Sequence, residues 1–506
     1  QKIAYADKML DRSVFATWSQ VKEMEQSGLV EVASHTHNLH NGINANPSGG
    51  QLPAVIAPEY KNGKYETEDA YKNRLKSDFT RSVQTLVNNV GKKPRVMVWP
   101  YGQFNDVAVQ LARQAGMPHY FSLGEKIINK VGDKHIGRLL LNAETDLNTV
   151  KNYLDGIDES KQIQRVLHVD LDYVYDADKA QQAKNLDKLI DRIYRYGVTT
   201  VYLQAFSDPD GDGVADALYF PNKYLPVRDD IFGRIAWQLQ TRAGVQVYAW
   251  MPVLAFDLRK NVKEAEYVID SRTGNPSTKA YLRLSPYNKQ NVEIIKSIYN
   301  DLSFYAKFNG ILFHDDAFLT DFEGAEGNHA EGMVSPQAKQ KTQDLIQLTH
   351  QLTDALKPYF LRGSYSLKTA RNLYASVITN PNAEEWLAQN LKTLTGNYDT
   401  TAIMAMPYME NEQPISQKEA YQWFASLIEN VKAQAPLLDK VLFEFQAVNW
   451  RTQKPIPESE LIDWMTLLQK NHIYSYGYYP DNFLTNQPDM NKMKPYFSVN
   501  TNAGKK

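Results

Sequence analysis

The chain is predicted to be α/β, a partial (β/α) unit followed by a closed (β/α)8 TIM-like barrel. Three observations carry that reading: strand-like and helix-like runs alternate regularly over the last two thirds of the chain, eight such strand runs can be counted, and polar or aromatic residues gather just after each of them. The runs are 166–170, 199–204, 245–251, 310–314, 364–369, 402–406, 441–445 and 473–478. Stretches of helical period separate them. Eight alternations are more than a doubly wound sheet usually holds, and in a barrel the residues after the strands share one rim, where function sits.

Before the barrel, residues 14–145 read as a small α/β unit with strands at 29–34, 95–99 and 119–123. Apolar residues recur at helical spacing over 68–90, and 106–116 reads as an amphipathic helix closed by Gly116. The polar stretch 142–164 suggests a connection, so the domains are expected at 1–145 and 164–506 with a linker at 146–163.

Composition excludes several classes of function. The 56 Lys and Arg residues against 58 Asp and Glu lack the basic excess of a nucleic-acid binder. Cysteine is absent, which removes disulfides, thiolate metal sites and cysteine nucleophiles. No apolar run is long enough for a membrane span, and a first residue of Gln suggests a processed or truncated start. The 31 Tyr and 8 Trp suit stacking on sugar rings.

Two motifs carry chemistry. Ser34-His35-Thr36-His37-Asn38-Leu39-His40 places imidazoles on a loop at a strand's end, where converging neutral nitrogens hold a divalent metal; solvated loop histidines are the plain alternative. Gly310-Ile311-Leu312-Phe313-His314-Asp315-Asp316 delivers carboxylates to the barrel rim. Neighbouring strand residues point to opposite sides, so one of Asp315 and Asp316 is expected in the cleft and the other as a brace. Glycosidic cleavage needs one protonated carboxyl and a second group at the oxocarbenium-like centre, and Asp170 and Glu444 complete the candidate catalytic set; strand-end acids that only cap or salt-bridge are the alternative. The rim residues Asp172, Tyr173, Trp250, His314, Tyr408, Trp450, Tyr478 and Asp481 are the candidate sugar-binding side chains. Asp208, Asp210 and Asp212 imitate a calcium loop, but Tyr219 stands where the bidentate Glu belongs; the other reading is an acidic rim loop facing a cationic sugar.

Val30-Glu31-Val32-Ala33-Ser34-His35, then His40, then Val98-Trp99-Pro100-Tyr101-Gly102, resembles the polysaccharide deacetylase family, and within it the periplasmic N-deacetylases of poly-β-1,6-N-acetyl-D-glucosamine from biofilm-forming Gram-negative bacteria. The barrel resembles the glycoside-hydrolase-like C-terminal domain of the same enzymes through His168-Val169-Asp170-Leu171-Asp172-Tyr173, Ala249-Trp250-Met251-Pro252, Met404-Ala405-Met406-Pro407-Tyr408 and Tyr478-Tyr479-Pro480-Asp481. The resemblance implies that His35 and His40 ligate a divalent ion (zinc, nickel, cobalt or iron), that His37 is a bystander, and that Trp99 and Tyr101 line the sugar pocket. It implies N-deacetylation of the polymer and a barrel that binds, and in some members hydrolyses, the partly deacetylated form. The implied location is the periplasm, with attachment to the outer membrane through a removed N-terminal segment and an export porin as partner. One departure stands out: the family's Asp-Asp pair and general-acid histidine lie upstream of the histidine motif, and no Asp-Asp and no histidine precede His35 here. The chain is therefore expected to deacetylate poorly by itself. The alternative function is a noncatalytic polysaccharide-binding and export module.

Overall fold

The computed structural model describes residues 2–5, 8–123, 128–143, 145–155, 163–277, 281–323, 334–363, 366–435 and 438–499. The chain forms two compact units, one of residues 1–157 with 361–366, the other of residues 158–360 with 367–506.

In the first unit, α1 (Glu68–Val90) begins at Thr67, whose hydroxyl accepts from the Ala70 amide, and ends at Gly91 with φ 85°. Tyr71, Leu75, Phe79, Leu86 and Val90 form its buried stripe, the helical period seen in the sequence. Then follow β1 (Val96–Val98), α2 (Asp106–Gln114), β2 (His119–Leu123) and β3 (His135–Arg138), with the three strands paired in parallel in that order. The strand at 135–138 is additional to those expected. The expected strand at 29–34 is absent: that run pairs only through Ser34, bridged to Met97, while Leu29 is 91% exposed. An apolar run forms a strand only where a neighbouring layer buries it. Part of the expected linker is helical, over Leu147–Leu154, and residues 156–162 lie outside the described residues.

The second unit is the barrel. Its strands are β4 (Arg165–Val169), β5 (Thr200–Gln204), β6 (Gln246–Met251), β7 (Gly310–Phe313), β8 (Lys368–Tyr374), β9 (Thr400–Met404), β10 (Val441–Gln446) and β11 (Tyr476–Tyr479). All pair in parallel in chain order, and β11 returns to β4 to close the sheet. Among the helices around it are α3 (Lys179–Tyr196), α4 (Lys289–Tyr305), α5 (Pro336–Leu356), α6 (Gln417–Gln434), α7 (Glu458–Lys470) and α8 (Met490–Phe497). The eight predicted runs are these strands. The largest displacement is the fifth: residues 364–365 lie outside the described residues, and β8 starts at Lys368, where pairing to Gly310 on one side begins.

The strands are buried and largely apolar, as expected of parallel strands covered by helices, with His168, Asn372 and Glu444 among the buried polar exceptions. Closure leaves little room inside. A Cβ at Gly477 would lie 2.5 Å from the Val166 carbonyl oxygen of the adjacent strand, and one at Gly310 would lie 2.8 Å from that of Lys368. Gly477→Ala should therefore destabilise the protein by about 1–3 kcal/mol, because a sheet carbonyl cannot step aside as a side chain can. Denaturant unfolding measures this, and an unchanged midpoint would refute the steric account.

Candidate functional site

Side chains of alternate strand residues converge inside the rim of the barrel. Asp170, just beyond β4, is buried among acids; burial pushes its carboxyl up to about 7, and the nearby Asp172 adds to the shift. Its Oδ2 stands 3.5 Å from the Tyr479 hydroxyl, and its Oδ1 has no partner in the protein. Tyr479 packs edge-on to Trp250 with centroids 5.4 Å apart and lies 6.1 Å from Trp450. Trp250 in turn lies 5.3 Å from His314, and Phe206 touches both rings.

Asp315 completes the lining and has the opposite electrostatic state. Burial opposes its charge, but His314 Nδ1 at 3.0 Å and the hydroxyls of Tyr281 and Tyr374, at 3.0 and 2.9 Å, hold it below its ordinary value. Burial likewise opposes a charged His314, yet the adjacent Asp315 and Asp316 raise the imidazole to about 10. The trough thus pairs a carboxyl that keeps its proton near neutrality with a carboxylate that stays ionised, the division of roles that acid-assisted glycosidic cleavage uses.

Several predicted site residues face elsewhere. Asp316 is fully buried and accepts from the amides of Val253, Leu254 and Ala255, which makes it the brace of the pair and removes it from the catalytic set. Glu444 is buried under the trough against His168 Nε2 at 2.5 Å and Asn372 Nδ2 at 2.7 Å, so it has no free oxygen to present. Asp172 is saturated by Ser207, Tyr219, Arg228 and the Asp208 amide, and it organises the loop after β5. Tyr478 points out of the barrel to Tyr196 and Phe497, its hydroxyl bonded to Asp481. Asp481 is held bidentately by Arg192. Both are scaffold, and Tyr479, one residue on, takes the place expected of Tyr478. Tyr408 spends its hydroxyl on Glu460 at 2.5 Å. Tyr173 remains half-buried at the trough, its phenol pushed up to about 12 by burial and by Asp170.

Sequence reasoning missed Tyr281, Tyr374 and Glu410. Tyr374 follows Asn372 by two along β8, so strand alternation could have found it; Tyr281 sits in an irregular segment and Glu410 ends the four-residue helix Pro407–Glu410, neither with such a signal. Glu410 accepts from the Ala375 and Ser376 amides, and burial pushes its carboxyl up to about 7. The Asp208, Asp210 and Asp212 carboxylates lie within 4.8 Å of one another. Asp208, however, already accepts from the amides of Gly211, Asp212 and Gly213, and Tyr219 is buried on Asp172. The loop closes on itself.

In the first unit, His35 Nδ1 lies 2.7 Å from the Val98 carbonyl, which can only accept; the ring proton is therefore on Nδ1, and Nε2 is free to ligate. That Nε2 is 3.1 Å from His40 Nδ1. Two imidazoles bound to one ion at about 2.1 Å each, near a right angle, hold their nitrogens about 3 Å apart, so the pair fits a divalent metal. Asp78 shapes the loop by accepting from the His37 and Asn38 amides at 2.8 and 2.7 Å. His37 lends the loop its backbone, and its side chain is exposed. Among the described residues no carboxylate or third histidine joins His35 and His40 in a metal-sized cluster. Tyr101, with φ 57°, is 47% exposed and packs edge-on to His40 at 4.5 Å. Trp99 is 1% exposed among Phe79, Phe104 and Tyr120, a core residue that cannot reach a sugar.

A trough lined by aromatic rings and two carboxyls in opposite protonation states, on the rim of a (β/α)8 barrel, defines a glycoside-hydrolase type of carbohydrate-active protein. Residues 168–479 match the family model described as hypothetical glycosyl hydrolase family 13, and residues 5–120 match polysaccharide deacetylase. The chain is 39% identical over 523 residues to the poly-β-1,6-N-acetyl-D-glucosamine N-deacetylase of Escherichia coli K12, taking in 99% of this chain and 77% of that protein. It is also similar to the solved PgaB (BpsB) glycoside hydrolase domain from Bordetella bronchiseptica, at 38% identity and a TM-score of 0.61, covering 67% of this chain and all of that one. This chain belongs to the poly-β-1,6-N-acetyl-D-glucosamine N-deacetylase family. No helix among the described residues is long and apolar enough to cross a membrane.

The state of Asp170 has a measurable consequence. Its folded pKa of about 7 lies above the unfolded value, so the folded protein binds more protons between pH 4 and 7, and stability falls as pH rises through that window. Asp170→Asn, which mimics the protonated form, should be more stable than the wild type at pH 8, by about 1.4 kcal/mol for every tenfold gain in proton affinity that folding gives the carboxyl, with the difference vanishing below pH 4. Thermal unfolding at the two pH values checks this; a variant less stable at pH 8 would contradict the assignment.

Proposed function

We propose that the protein acts on poly-β-1,6-N-acetyl-D-glucosamine: the first unit takes part in metal-dependent N-deacetylation, and the barrel binds and cleaves the partly deacetylated polymer during its export. The observation that carries the second half is the electrostatic contrast between Asp170 and Asp315 across Trp250 and Tyr479. Asp170 gives its proton to the departing glycosidic oxygen, while the ionised Asp315 stabilises positive charge developing at the sugar carbon. Trp250, Trp450 and Tyr479 stack on sugar faces. Exposed Asp210 and Asp212 favour a chain that deacetylation has made cationic. A periplasmic site of action beside an outer-membrane export porin fits this substrate, and the acidic loop needs no calcium to serve it.

For deacetylation, His35 and His40 would hold the divalent ion, which supplies Lewis acidity toward the acetamide carbonyl. Tyr101 flanks His40 and closes one side of the sugar pocket. Hydrolysis also requires a carboxylate base, and none stands beside the pair among the described residues. These 506 residues should accordingly release acetate slowly, and robust turnover in an acetate assay would show that an acid reaches the histidines. Chain cleavage of a partly deacetylated polymer, followed by product sizing, tests the barrel. Asp170→Asn and Asp315→Asn should each lower cleavage at least about 100-fold, and wild-type cleavage should decline above about pH 7 as Asp170 ionises. Binding with no cleavage by the wild type would instead favour a noncatalytic export module.

A further inference from the structure

His168, on β4, lies at the floor of the trough and is 4% exposed. Its ring meets Tyr202, Trp250 and Tyr479 at centroid distances of 4.9, 5.2 and 5.6 Å. On one side it is fully committed: Nε2 faces Glu444 Oε1 at 2.5 Å, and Glu444 Oε2 accepts a hydrogen bond from Asn372 Nδ2 at 2.7 Å. A carboxylate accepting on both oxygens places an imidazole proton on Nε2, and in the neutral ring Nδ1 is then a bare lone pair.

That Nδ1 is buried and finds no partner within the protein; the same holds for Trp250 Nε1, for the Tyr202 hydroxyl and for Asp170 Oδ1 just beyond the end of the same strand. Buried polar atoms are almost always paired, so an acceptor, a donor and a carboxyl left unpaired around one trough point to a ligand. We infer that His168 is a substrate-binding residue: Nδ1 accepts a hydrogen bond from a sugar hydroxyl whose oxygen accepts from Trp250 Nε1–H. A hydroxyl both gives and takes at one atom, whereas an ammonium group only gives and would confront the indole N–H. Glu444 and Asn372 hold the ring from its Nε2 side, which leaves Nδ1 free for the sugar. This inference rests on the barrel being a site for the amino-sugar polymer.

The two ring nitrogens separate this role from a structural one. His168→Gln keeps an amide donor for Glu444 and deletes the Nδ1 acceptor; it should fold with a melting temperature close to that of the wild type and bind a partly deacetylated β-1,6-glucosamine oligomer roughly 10-fold more weakly by calorimetry. His168→Asn keeps a polar atom near Nδ1 and abandons Glu444, so it should melt lower while losing less affinity. Should the variants not fold, the His168 Nδ1 resonance of the 15N-histidine-labelled wild type provides a second readout, moving upfield when the oligomer is added. Wild-type affinity in His168→Gln, or an unmoved Nδ1 resonance under saturating oligomer, would overturn the proposal alone. An oligomer that fails to bind the wild type at all would overturn the sugar-site reading together with it.

Discussion

In a closed sheet of eight parallel strands every side chain has two destinations, the trough or the helical layer, and alternation along each strand chooses between them. The chemistry of the barrel depends on that constraint. Tyr478 and Tyr479 are chemically identical neighbours, yet one is locked to Tyr196 and Asp481 outside the sheet and the other stands between Asp170 and Trp250. Asp315 and Asp316, in the turn just past β7, also divide, one to the Tyr281 and Tyr374 hydroxyls and one onto the backbone of the loop after β6. The tight contacts at Gly310 and Gly477 mark where closure leaves no room for a side chain.

Once alternation has delivered the groups, their neighbours determine their charge. Asp170 is buried with other acids and without a cation, so desolvation dominates and the proton stays. Asp315 suffers the same burial but gains an imidazolium and two phenolic donors, which reverse the balance. Asp172 and Asp481 show the third outcome: each meets an arginine and is spent on holding loops and helices in place. Carboxyls of similar sequence context thus become acid, anion or scaffold according to partners supplied by distant segments.

The histidine loop of the first unit follows a different logic, since no closed sheet shapes it. Asp78, from the middle of α1, grips two consecutive loop amides, and the Val98 carbonyl at the end of β1 fixes the His35 ring. The loop brings two nitrogens to a metal-compatible separation through these contacts, helped by the Ser34 and Thr36 hydroxyls, which accept from the Thr36 and Leu39 amides. Trp99, beside that strand end, is absorbed by the aromatic core, and Tyr101 is left to face the histidines because the turn carries it through a positive φ.

Periodicity and turn chemistry are local, and they sufficed for the eight barrel strands and for the helix over Glu68–Val90. Strand ends are legible locally, so Asp170, Trp250, His314 and Asp315 could be named from the chain by itself, whereas the places of Tyr281, Tyr374 and Tyr479 come only from the fold. Tertiary structure alone decided which rim residues face the sugar, because facing depends on closure and on partners far away in the chain: Glu444 is consumed by His168, Asp481 by Arg192, and Tyr281 reaches Asp315 from a loop with no periodic signal. Burial and charge pairing are sums over such neighbours, and a single strand's pattern does not contain them.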